Sequence, residues 1–173
     1  MHVVLALFMI YAVWKWGDWR NWEKYHTVML YFALGNLLYN FLTANHFLWR
    51  LDADFISNHT LTEMLYTFIV FPATSLLFIS RYPERSNSGT LIFYYFKWVF
   101  VYVGVEWIYT VTHHIDYQYG WSLGWSAFFD ITMFPMLRLY YKKPLIAYAV
   151  SAVLAVFWLW LFDVPVHLPV EKR

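Results

Sequence analysis

The 173-residue chain has no cysteine, and only 13% of its residues are charged. The first absence excludes disulfides, thiolate metal ligands and thiol catalysis. The second excludes an ordinary soluble domain, in which about 25% of residues are charged and roughly 45–50% apolar. A net charge of +1 gives no reason to expect nucleic acid, since the basic residues sit in short clusters between apolar runs rather than along one stripe. Soluble-enzyme signatures are missing as well: there is no Gly-rich phosphate loop, no HExxH zinc helix and no GxSxG elbow.

What fills the chain instead is hydrophobic, 61% of it, with 11 Trp, 15 Tyr and 16 Phe. Aromatic rings with a polar edge favour the headgroup region of a bilayer. A span needs about 20 apolar residues, and six runs approach that length: His2–Trp16, Val28–Phe47, Leu61–Ser80, Leu91–Val111, Trp121–Tyr140 and Leu145–Phe162. The expected fold is therefore all-α, a single transmembrane helical bundle over 1–173 with six spans, or five if the short first run is not a full one. That first run lacks the leading basic residue and the small-residue cleavage site of a signal peptide.

Polar segments with turn residues separate the runs. Arg81–Thr90 and the Lys-Lys-Pro at 142–144 read as short loops, and Thr60 with Glu63 fits a capping box opening the third helix. The loops after spans one, three and five hold Lys15, Arg20, Lys24, Arg81, Arg85, Arg138, Lys142 and Lys143, whereas those after spans two and four hold only Arg50. Basic loops stay in the cytoplasm, so both termini are expected outside. His2, His46, His59, His113, His114 and His167 then fall on the outer side, as do the acids Asp52, Asp54, Glu63 and Asp116.

Ionisable groups inside the slab stand apart, because a charge there costs about 2.5–3.5 kcal/mol even on insertion scales. Lys97 can snorkel to the headgroups. Asp130 cannot, being about 14 Å along its helix from Trp121 at 1.5 Å per residue, and it must be paired, protonated or next to water. Asn36 and Asn40 stack on one face of span two at a comparable depth and are expected to reach Asp130, either as interhelical glue or as the wall of a ligand cavity. In span four, Tyr95, Val99, Tyr102, Glu106, Thr110 and His113 recur every three or four residues as one stripe. His113 is expected to share the bundle-facing side with Glu106, leaving His114 and Asp116 at a wetter rim. His46, His113 and Glu106 form a weak candidate metal set. Ala147, Ser151 and Ala155 make a small-residue ridge suited to helix packing.

The segment YGWSLGWSAFFDITMFPMLRLYYKKPLIAYAVSAVLAVFWLWLFDVP resembles the closing portion of a family of small multi-pass membrane proteins of endospore-forming bacteria. Tyr94–Tyr95 and Glu106 are similar too. The resemblance implies a helical bundle in the cell membrane and no particular substrate, because that family has no agreed activity.

The function expected from these residues is binding of a polar ligand, ion or protein partner through an outward-facing pocket, of transport or sensor type, built from Glu106, His113, His114, Asp116, Asp130, Asn36 and Asn40. A redox or metal-binding subunit using outer-end histidines, with haem or another metal, is one alternative; a scaffold subunit is another. No cofactor is singled out, and the partners expected are lipid and a second copy or another membrane protein.

Overall fold

A computed structural model of the chain describes residues 1–53 and 58–173. Asp54 lies outside the described residues. Among the described residues six helices carry the fold: α1 (His2–Trp16), α2 (His26–Leu42), α3 (His59–Ser80), α4 (Ser88–Val111), α5 (Leu123–Lys142) and α6 (Pro144–Leu161). Three of them, α3, α4 and α6, are long and apolar enough to cross a membrane, and α1 is a shorter apolar helix.

Most helix ends fall within three residues of the sequence reading, and two differences bear on the interior. The second run stops at Leu42 instead of Phe47, because Asn45 takes a left-handed backbone (φ 61°) and Trp49 begins a strand. The third helix is capped not by Thr60 and Glu63 but by Asn58, whose side chain accepts the Leu61 N–H at 2.9 Å. That cap frees the Glu63 carboxylate for the interior.

α3 is the central helix: 67% of its most apolar stretch is buried, against 11% in α4 and in α6. It also contains a π-helical turn, Tyr66–Val70, just before Pro72. Proline cannot donate to the preceding turn, and the wider turn absorbs that interruption. α1 lies on α3 through Ala6, Met9 and Ala12, which share one helical face with His2. Gly17 ends α1 so close to α3 that a Cβ there would meet Leu76 at 2.8 Å. α4 meets the central helix through long aromatic side chains: Tyr94 donates to the Phe78 carbonyl (2.8 Å) and Tyr102 to Thr74 Oγ1 (2.7 Å). On α6, Ala147 is fully buried and Ser151 bonds the Tyr31 hydroxyl of α2 at 2.6 Å.

The loops gather at two ends. At one, β1 (Trp49–Leu51) pairs antiparallel with β2 (Ile115–Tyr117), in the register Trp49↔Tyr117, Arg50↔Asp116, Leu51↔Ile115. The same end holds His2 against His114, and Arg173, whose guanidinium donates to the Leu42 carbonyl at 2.8 Å. At the other, Arg81 donates to the Trp16 carbonyl, and Glu84 takes Arg138 and Lys142 as ion partners. The outward faces of the peripheral helices expose Leu7, Leu34, Phe41, Phe93, Phe100, Leu145 and Val153. Large contiguous apolar faces of this kind are rare on monomeric soluble proteins.

Candidate functional site

α4 and α5 run antiparallel, and their polar positions face each other turn by turn. Tyr102 and Glu106 are one turn apart on α4; Ser126 and Asp130 are one turn apart on α5. The Glu106 carboxylate accepts a short hydrogen bond from the Ser126 hydroxyl and another, at 2.7 Å, from the Tyr117 phenol of β2. Trp121 holds Ser126 in turn, its indole N–H donating to Ser126 Oγ at 2.8 Å. Thr110, one turn further out, donates to the Glu106 backbone carbonyl. Burial pushes the Tyr117 phenol above its ordinary range, and the carboxylate beside it adds to that.

Asp130 lies one turn deeper, only 5% exposed, and its Oδ2 has no hydrogen-bond partner among the described residues. Among the described residues, the charged or titratable groups that act on it are Glu106 and Tyr102, and no lysine, arginine or histidine does so. Phe134, fully buried, closes the site below and meets Tyr102 edge-on at 5.1 Å.

Asn36 and Asn40 do not reach Asp130. Both amides donate to Glu63 Oε2 at 3.1 Å, and Asn36 also donates to Thr67 Oγ1 at 2.9 Å. The physical reason is register: with α3 capped at Asn58, Glu63 and Thr67 form their own i,i+4 pair facing Asn36 and Asn40 across the α2–α3 contact. Glu63 is buried, 9% exposed. Sequence reasoning missed it as an interior acid, although a Glu and a Thr four apart at the head of an apolar helix was a signal for such a pair.

The histidine pair at the end of α4 is inverted relative to expectation. α4 stops at Val111, and His113 takes a left-handed backbone (φ 55°) that turns it outward, where it is exposed. His114 turns in, its ring 5.7 Å from that of His2. His2 is the other interior residue that the sequence did not reveal. It is fully buried, and its Nδ1 lies 2.8 Å from the Tyr66 hydroxyl, which donates to Tyr109 at 3.0 Å. Asp116 is exposed on β2, as a rim residue would be.

The candidate metal set of His46, His113 and Glu106 is not assembled. His46 stacks on Tyr119 with ring centroids 3.5 Å apart, His113 faces outward and Glu106 is held by hydroxyls. Among the described residues no three His, Asp or Glu side chains are placed to hold a metal ion together.

What the arrangement offers chemically is a carboxylate supplied with donors, Glu106, next to a buried carboxyl, Asp130, that among the described residues has neither a donor nor a basic residue beside it. No family model, curated protein or solved structure matches the chain.

Proposed function

We propose that this is a six-span integral membrane protein of the cell membrane, with both termini and the β1–β2 sheet outside, that binds a small polar ligand or ion at the Glu106–Asp130 site. The observation that carries the reading is Asp130: a buried carboxyl without a hydrogen-bond donor costs free energy unless something else satisfies it. Intramembrane acids of this kind belong to ion and proton pathways more often than to packing. The membrane part of the reading is supported by the apolar outward faces and by the split of basic residues between the two ends.

Because the chain has no cysteine, single-cysteine variants report topology without background. Cysteines replacing Arg85 or Lys143 are expected to be protected from an impermeant thiol reagent in intact cells. Those replacing His59 or Asp116 are expected to react. Labelling of positions 85 and 59 from the same side would overturn the six-span arrangement. For the site itself, thermal unfolding of the purified protein is measured against pH and against a panel of ions and small polar solutes. At least one condition should stabilise the wild type and not Asp130→Asn; identical responses of the two proteins across the panel would overturn the binding reading.

A further inference from the structure

The chemical identity of the ligand follows from the charge inventory of the site, an inference that rests on the binding reading above. The titratable groups facing Asp130 are Glu106 and Tyr102 of α4; those acting on Glu106 are Tyr117 of β2 and Asp130 itself. All carry zero or negative charge. An anionic ligand would add charge of the same sign in a low-dielectric interior, and a neutral one would supply nothing to hold a second ionised carboxyl there, whereas a cation does. The two carboxyls are also unequally served. Glu106 receives two hydroxyl donors, which favour its anionic form, while Asp130 receives none and has a buried, unpartnered oxygen. Two acids in one dry site are not both charged without a cation to compensate them, and the one without donors is where a proton would sit in the cation's absence.

We propose that the Glu106–Asp130 pair is a site at which a small, hard, monovalent cation such as sodium or lithium exchanges for that single proton. Oxygen donors suit hard cations. A divalent ion asks for about six to eight oxygens, whereas one carboxylate oxygen of this pair is already engaged by Tyr117 and Ser126. The exchange balances: the Asp130 O–H bond breaks, the proton leaves toward the sheet end, and the cation takes its place between two carboxylates. One positive charge replaces one positive charge, so the net charge inside the bundle is unchanged. Tyr117, half-buried and donating to Glu106, stands between the pair and the sheet end and is the side chain the cation must pass.

The test is proton release. Purified protein in weakly buffered detergent solution with a pH dye is titrated with sodium, lithium or potassium chloride. About one proton per chain should appear, and the half-effect cation concentration should rise about tenfold for each unit by which the starting pH is lowered. Asp130→Asn should release none and Glu63→Gln should release as the wild type does. Asp130→Glu, which keeps the carboxyl, should still release a proton with a half-effect concentration moved several-fold, and it serves if Asp130→Asn fails to fold. If pH alters stability in an Asp130-dependent way while no cation releases protons, the cation inference is overturned and the ion-site reading survives with the proton as its ligand. If neither pH nor any cation distinguishes the wild type from Asp130→Asn and Asp130→Glu, both fail.

Discussion

Glu63 and Asp130 are both acids buried within the same bundle, and their surroundings are opposites. Two asparagine amides converge on Glu63, with Thr67 closing the cluster, so its carboxylate is satisfied by side chains one helix away. Asp130 has a second acid where Glu63 has amides. A buried polar cluster that is fully bonded specifies how two helices sit on each other, whereas one left short destabilises the fold and persists when something else is gained. The comparison separates an acid whose neighbours supply donors from one whose neighbours supply none.

The sharpest way to break that distinction is to remove each acid. Glu63→Leu takes from each of two amides one of its two acceptors, at about 1 kcal/mol or more each, so a loss of roughly 2 kcal/mol or more is expected in unfolding followed by circular dichroism. Asp130→Leu should be neutral or stabilising, as is common when a buried polar group without good partners becomes apolar. Equal destabilisation by the two would erase the contrast. Next in size is Ser126→Ala, which takes the acceptor from the Trp121 indole and one donor from Glu106; about 1–2 kcal/mol is expected by the same measurement. Asn36→Ala removes donors and strands less, so its cost should lie near the average of an interhelical bond, about 0.6 kcal/mol.

The two ends of the bundle give a smaller, pH-dependent comparison. At the basic end Glu84 is held below the usual glutamate range: slight burial opposes ionisation, but hydrogen bonds and charge from Arg138 and Lys142 outweigh it. A lowered acid stabilises the fold above its unfolded value, 4.5, and that contribution is lost as the pH falls through the lowered value. At the sheet end Asp52 is raised, first by burial and then by Asp116. Its contribution has the opposite sign: it is present below the unfolded value of 3.8 and lost as the pH rises through the raised one. Glu84→Gln should therefore weaken the fold at neutral pH and leave it unchanged in strong acid, by an amount in the range of exposed ion pairs, about 0.2–1 kcal/mol. Asp52→Asn should do the reverse, stabilising at neutral pH. Both effects are read from melting temperature against pH.

Much of this architecture was legible in the chain because it is one-dimensional. Apolar run length located both ends of α1, His2 and Trp16, and turn residues separated the helices from Arg81 onward. The inward stripe Tyr95, Val99, Tyr102, Glu106 and Thr110 was readable from helical periodicity alone. Periodicity assigns a face, not a partner. Asn36 and Asn40 were placed on one face correctly and given the wrong neighbour, because the α2–α3 register depends on a cap at Asn58 and a π turn at Tyr66–Val70. His113 and His114 exchanged roles because the stripe was continued past Val111, where a left-handed residue reverses the chain. The Glu106 donors Tyr117 and Ser126 come from β2 and α5, and a pairing of a strand with another loop has no local signature.

The central claim is that Asp130, and not Glu63, is the interior acid that exchanges its ion with the outside. Infrared difference spectra of the protein in membranes, taken between acidic and alkaline pH, report the carbonyl stretch of a buried protonated carboxyl directly. A band that appears on acidification, is lost in Asp130→Asn and persists in Glu63→Gln is the result expected. A band untouched by Asp130→Asn, or one lost in Glu63→Gln instead, would contradict the assignment.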